Sequence, residues 1–222
     1  MQPIASPNTK MLTGRCETHG DYEAQAVYFA NRWIGGGCPH CAEEELRQRD
    51  AETRQEAVDK RRTNLMRHIG VPPRFRDSSL DDYVPETPAA ERVHSACQRY
   101  CQTWPERQDK GSGLILCGHV GTGKTHLAVG IAKAVVSQHL AKVRYMGVSD
   151  VMRWIRSSYD KTTEITETEI LRRMEELDLL ILDEVGLQAG SDHEHNMLFE
   201  IINSRYLAMR PTILVSNLGI AE

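Results

Sequence analysis

The chain has 222 residues, 40% hydrophobic and 26% charged, which is material for one domain with an appendage or for two small domains. Its formal net charge of -4 excludes a strongly basic surface as the main device for holding nucleic acid, so any such contact is local or is made by several copies side by side. Collagen-like, mucin-like and prion-like bias is absent, and no apolar run approaches the ~20 residues of a membrane span.

The N-terminal residues lack the basic-then-apolar order of a secretory signal, so a cytoplasmic protein without membrane contact is expected. In that setting six cysteines suggest metal or free thiols before disulfides. Cys16-Glu17-Thr18-His19 and Cys38-Pro39-His40-Cys41 are two short pairs of ligand types, and Gly35-Gly36-Gly37 frees the backbone before the second. This spacing can fold into two knuckles. Cys16, His19, Cys38 and Cys41 would then form a tetrahedral zinc set that is closed to water and therefore structural. The plain alternative is unligated thiols in a poorly ordered tail. His40 is expected to face solvent. Residues 1–41 hold few large apolar side chains, chiefly Tyr22, Val27, Tyr28, Phe29, Trp33 and Ile34, so a metal would help this module fold and present a surface.

Residues 42–68 contain no proline or glycine, with acids early (Glu43, Glu44, Glu45) and bases late (Lys60, Arg61, Arg62, Arg67), an order that suits the helix dipole. Glu43/Arg47, Glu45/Arg49, Asp50/Arg54 and Glu56/Lys60 have i,i+4 spacing, but little between Leu46 and Val58 asks for burial. An exposed connecting helix or arm is predicted, either a spacer or a partner-docking element. Gly70-Val71-Pro72-Pro73 ends it, and a second domain over 69–222 begins about there. Within that domain residues 92–100 read as helix, and apolar strands recur at 114–117, 143–146, 179–182 and 212–216 with helical segments between them. Such alternation means an α/β fold, a parallel sheet covered on both faces. Leu127, Ile131, Val135 and Val136 give residues 124–139 one apolar face. Cys97, Cys101 and Cys117 lack ligand-like partners and are expected as buried or half-buried thiols.

Residues 118–125 read Gly118-His119-Val120-Gly121-Thr122-Gly123-Lys124-Thr125, a complete phosphate-loop signature between an apolar strand and a helix. The glycines let backbone N–H groups converge on phosphate oxygens, Lys124 would lie against the β- and γ-phosphates, and the Thr125 hydroxyl would hold Mg²⁺. The helix starting near Lys124 adds its positive dipole end. Further on, Leu179-Leu180-Ile181-Leu182 runs straight into Asp183-Glu184. In such a pair the first acid holds the Mg²⁺ shell and the second orients or deprotonates the attacking water. ATP, Mg²⁺ and Zn²⁺ are thus the ligands expected of this chain.

The second domain resembles the AAA+ ATPases, specifically the DnaC-type helicase-loader group, with the IstB-type transposition helpers close by. The carriers are Ile69-Gly70-Val71-Pro72-Pro73-Arg74-Phe75, residues 118–125, Leu182-Asp183-Glu184-Val185-Gly186, and Thr212-Ile213-Leu214-Val215-Ser216-Asn217. The resemblance implies that residues 69–75, with Ile69 and Phe75, line the adenine pocket. It implies too that His126 extends the nucleotide-binding set and that Asn217 is the sensor polar residue beside the γ-phosphate. A polar side chain at the C-terminal end of a strand next to the loop-bearing strand does point into the nucleotide crevice.

Loaders of this group grip a replicative DnaB-type ring helicase, hold single-stranded DNA and self-associate. By the same resemblance Tyr159, Ser191 and His193 are the DNA candidates, with His193 replacing a family aromatic; an aromatic face can stack on a base without reading sequence. The family carries an arginine finger and a small helical lid after the sensor strand. This chain ends at Glu222, so both are expected to be absent, and Arg205, upstream of that strand, is not expected to be the finger. Without a fifth strand, residues 114–117 would form an apolar edge. The resulting expectation is an ATPase that binds nucleotide far better than it hydrolyses it. A non-hydrolysing ATP-binding adaptor and a transposition helper ATPase are the alternatives; the metal module favours the loader.

Overall fold

Alternating side chains in residues 9–35 form a sheet that the cysteine pairs alone did not announce. In the computed structural model, which describes residues 8–160, 165–186 and 192–218, β1 (Thr9–Cys16), β2 (Gly20–Phe29) and β3 (Arg32–Gly35) make an antiparallel sheet in that order. The β2–β3 turn is Ala30-Asn31 with both residues at positive φ (49° and 63°), the backbone twist that a two-residue hairpin needs. One sheet face closes over Ala24 and Ala26, and the Tyr22 hydroxyl donates to the Gly36 carbonyl at 3.1 Å.

Helix α1 (Pro39–His68) begins a few residues earlier than the charge pattern suggested, so Cys41 lies in its first turn. None of its side chains is buried. Glu43–Arg47 and Glu45–Arg49 close at 2.6 and 2.7 Å, as the spacing predicts. Each such exposed pair contributes only about 0.3–0.5 kcal/mol. The chain divides into two compact units, Met1–Lys60 and Arg61–Glu222, and the boundary falls inside α1.

In the second unit the last turns of α1 set Leu65 and Met66 against the core, and Arg62 donates to the Ser137 carbonyl at 3.1 Å. Then come α2 (Pro88–Gln102), α3 (Trp104–Asp109), β4 (Leu114–Cys117), α4 (Lys124–His139), β5 (Val143–Gly147), α5 (Val148–Ser157), α6 (Glu167–Glu175), β6 (Leu179–Asp183), α7 (Asp192–Leu207) and β7 (Thr212–Ser216). The starts of α2 and α6 follow from their caps: Thr87 Oγ1 accepts from Ala90 N, and Thr166 Oγ1 from Glu169 N.

The four strands are all parallel in the order β4-β7-β6-β5. Alternate residues feed two cores. Leu116, Tyr145, Leu179, Ile181, Ile213 and Val215 pack with α2 and α4, while Leu180, Leu182 and Leu214 pack with α5, α6 and α7. All five residues of β6 are buried, as a strand covered on both faces requires. Each aliphatic side chain so buried contributes roughly 1.5–3 kcal/mol. Cys97 and Cys101 are buried and Cys117 is half-buried, as expected; burial pushes the Cys97 thiol up to about 11 and the Cys101 thiol up to about 12. Among the described residues no helix is long and apolar enough to cross a membrane.

Two cations hold connecting segments from inside. Lys133 Nζ on α4 donates to the carbonyls of Phe75, Arg76 and Ser78, strapping residues 75–78 to that helix. Arg205 on α7 has no exposed surface and donates to Thr212 Oγ1 at 2.9 Å and to the carbonyls of Met174, Leu177 and Pro211. Burial draws its pKa down to about 10, which leaves it charged at neutral pH. Arg205 is therefore a clamp between α6, α7 and β7. Arg205→Met should cost about 3 kcal/mol or more in urea denaturation, because it leaves several buried carbonyls unpaired.

Candidate functional site

The phosphate-loop segment leaves β4 and enters α4 through three glycines at positive φ, Gly118 (139°), Gly121 (86°) and Gly123 (80°). Side chains rarely adopt such values, so this backbone is reserved for glycine. No atom would meet a Cβ placed on Gly121, which sits at the open side of the turn, and Val120 beside it is 81% exposed. Lys124 Nζ donates to the carbonyls of Gly118 and His119, both at 2.7 Å, and Thr122 Oγ1 donates to the His119 carbonyl at 3.0 Å. Burial lowers the Lys124 pKa, partly offset by Asp183.

The loop and the acid pair, expected to share one cation, come together. Thr125 Oγ1 donates to Asp183 Oδ2 at 2.8 Å, and the Glu184 N–H closes on Asp183 Oδ1 at 2.7 Å. The Thr125 hydrogen is committed to the carboxylate, which leaves the hydroxyl lone pairs for a cation. A hydroxyl oxygen and a carboxylate at the mouth of a glycine loop are hard oxygen donors of the kind Mg²⁺ takes. Glu184 is exposed and holds φ at 63°. For a residue with a long side chain this costs roughly 1–3 kcal/mol and is typical of working positions. Asn217 follows the last residue of β7, the strand lying between β4 and β6, which sets it at the crevice between loop and acids.

The other expected nucleotide contacts fall out differently. Ile69 is fully buried in the core and its carbonyl accepts from Tyr145 N at 2.7 Å, so its side chain anchors its segment and has no surface to offer a base. Phe75 is half-buried against the same core. The His126 ring is taken by the Ser79 carbonyl (2.7 Å) and by Tyr83 (centroids 5.6 Å apart), so at this position a phosphate is offered backbone N–H alone.

Two tyrosines escaped the motif reading. Tyr83 donates to the Thr122 carbonyl at 3.2 Å, and its ring covers Gly123, where a Cβ would come within 2.5 Å of it. Tyr145 on β5 donates to Asp183 Oδ2 at 2.5 Å. The available signal for Tyr145 was a polar-tipped ring in the middle of a strand next to the acid-bearing one.

In the first unit the ligand atoms of Cys16, His19, Cys38 and Cys41 all lie within 4.8 Å of one another. His19 Nδ1 is 3.3 Å from the Cys41 sulfur and 3.7 Å from those of Cys16 and Cys38, so Nδ1 is the ring nitrogen turned to the sulfurs. Its Nε2 lies 3.3 Å from Glu44 Oε1, a partner that fixes ring orientation. Backbone N–H groups of His19 and then Thr18 draw the Cys16 thiol down to about 6. Three sulfurs and one imidazole nitrogen in this cluster fit a tetrahedral zinc ion.

Tyr159 and His193 also come together. The Tyr159 hydroxyl donates to Glu167 Oε2 at 2.7 Å and lies 2.8 Å from His193 Nε2, with the residue 52% exposed. Ser191 lies outside the described residues.

The pattern of the IstB-like ATP binding protein family matches residues 53–222, well over half of the chain. The chain belongs to that family. The replicative helicase loader DnaC of Buchnera aphidicola subsp. Acyrthosiphon pisum is 30% identical over 149 residues, 67% of this chain and 59% of its own length. DnaC of Escherichia coli K12 is 25% identical over 177 residues, 80% of this chain and 69% of its own. The chain thus spans 59% of the length of the Buchnera relative. Among solved structures, that of the DnaC helicase loader superposes with a TM-score of 0.61 at 25% identity, covering 67% of this chain and 81% of that one. AMPPCP-bound DnaA from Aquifex aeolicus shares the fold, with a TM-score of 0.54 at 23% identity over 67% of this chain and 44% of that one. The family assignment and these superpositions make the second unit an AAA+ phosphate-loop domain.

Proposed function

We propose that this chain is an ATP-dependent loader that grips a replicative DnaB-type ring helicase and single-stranded DNA, using ATP binding and hydrolysis in the AAA+ unit. The observation that carries this reading is the Thr125–Asp183 hydrogen bond, which joins the phosphate loop to the acid strand in a chain related to replicative helicase loaders. Gly118, Val120, Gly121, Thr122 and Gly123 would cradle the phosphates through backbone N–H groups, and Lys124 would exchange its two carbonyls for phosphate oxygens. Thr125 and Asp183 would hold Mg²⁺, which supplies charge neutralisation at the phosphates. Glu184 would orient the attacking water and take its proton. Asn217 would sense the γ-phosphate from the end of β7.

Zinc held by Cys16, His19, Cys38 and Cys41 would fold the first unit into a partner-binding surface. Tyr159 and His193 would meet the DNA strand. The neighbouring Glu167 and Glu194 make that face poor in net positive charge, so stacking rather than phosphate attraction would dominate. The transposition-helper alternative shares the nucleotide chemistry and differs in partner.

Two measurements test the proposal. Pull-down of the host's replicative helicase should succeed with this chain and respond to ATP; capture of a transposase instead favours the helper reading. Glu184→Gln should leave ATP binding within about threefold and bring the chain's weak ATP turnover down to background, since general-base removal acts on the scale of about a hundredfold or more. If loading in vivo survives that change, hydrolysis is not required and an ATP-binding adaptor is the better description.

A further inference from the structure

Asp183 carries three donated hydrogen bonds. Oδ2 accepts from Thr125 Oγ1 at 2.8 Å and from Tyr145 Oη at 2.5 Å, and Oδ1 accepts from Glu184 N at 2.7 Å. The tyrosine bond is the shortest of the three, in the range of a hydroxyl donating to a carboxylate. Tyr145 is 7% exposed, so its hydroxyl meets the carboxylate away from solvent.

The ring itself is rooted in backbone. Tyr145 N donates to the Ile69 carbonyl at 2.7 Å, and Gly70 lies so close that a Cβ there would come within 2.8 Å of the Tyr145 carbonyl oxygen. Thr125 stands in the first turn of α4, directly after the phosphate loop, whereas Tyr145 arrives from a strand paired with β6 along its whole length. Of the two side-chain donors, the tyrosine is the one held in the same sheet as Asp183.

We infer that Tyr145 is a positioning residue for the magnesium site, its hydroxyl holding in one orientation the Asp183 carboxylate that, with Thr125, would hold the cation. This rests on the reading of residues 118–125 and Asp183 as a Mg-nucleotide site. With phenylalanine at 145 the ring still fills its place, but the carboxylate loses its rigid partner and must be ordered when the cation binds.

The test uses the full chain and fluorescent mant-ADP, titrated in excess EDTA and again in excess Mg²⁺. Tyr145→Phe should shrink the tightening that Mg²⁺ confers by about tenfold, the scale of one charge-assisted hydrogen bond, and leave the EDTA affinity within about twofold. In an Asp183→Asn background, which itself removes the tightening, the same change should have no further effect. A full Mg²⁺ response in Tyr145→Phe overturns the inference, and so does an equal loss in EDTA, which would mean that the hydroxyl only stabilises the fold. Failure of the underlying reading looks different: the wild-type chain itself would bind no mant-ADP, or would bind it without any Mg²⁺ response.

Discussion

Lys124→Ala should abolish measurable ATP binding, weakening it by about a hundredfold or more in a fluorescence titration. A charged hydrogen bond contributes about 1.5–3 kcal/mol net, and Lys124 would make such bonds to a multiply charged phosphate chain in a partly desolvated turn. About 3 kcal/mol corresponds to that hundredfold. The lysine bonds to two loop carbonyls and supports no core contact, so the melting behaviour of the variant should stay close to wild type. Undiminished binding would remove the phosphate loop from the nucleotide site and the rest of the proposal with it.

Stripping zinc should unfold the first unit and spare the second. Among the described residues of the first unit the buried apolar side chains are Ala24, Ala26 and Cys38, far too little surface to offset the entropy of ordering a three-stranded sheet. Structural zinc contributes about 10–16 kcal/mol at neutral pH in small modules of comparable ligand set. The purified chain should carry one zinc by mass spectrometry of the metal. Chelation, or Cys38→Ser, should collapse the amide NMR shifts of residues 9–35 while mant-ADP affinity is retained. Glu44→Ala should weaken zinc by about tenfold to a hundredfold through the freed His19 ring. Zinc should also be released on acidification, because thiolates are the ligands and protons compete for them. A metal-free chain with dispersed, unchanged shifts for residues 9–35 would overturn the zinc assignment.

Much of the second unit was legible from local pattern. Its strands fall at 114–117, 143–147, 179–183 and 212–216, where the apolar segments stand; the signal is plainest at β6, since a strand buried on both faces needs an unbroken aliphatic run that little else imitates. The three-stranded sheet of the first unit was missed for the converse reason. Its alternation is mostly polar and half-exposed, with Gly14, Ala24 and Ala26 at its inner positions, so the metal-ligand spacing was the louder signal. Ile69 was assigned to a base pocket by resemblance, and burial in the core assigns it to anchoring instead.

The amino-acid sequence alone determined that a phosphate-binding turn exists here and what it does locally, since glycine at positive φ, a lysine and a hydroxyl act within a few residues of one another. It determined equally that two acids end a buried strand and that three thiols and an imidazole are spaced to chelate. Only tertiary structure decided that β7 enters between β4 and β6, that Thr125 and Tyr145 close on one carboxylate oxygen, and that His19 shows Nδ1 to the sulfurs and Nε2 to Glu44. Those pairings join residues distant along the chain, Thr125 and Asp183 by 58 positions and the paired residues of β4 and β7 by more. Strand order and side-chain orientation set them, and neither leaves a periodic trace along the chain.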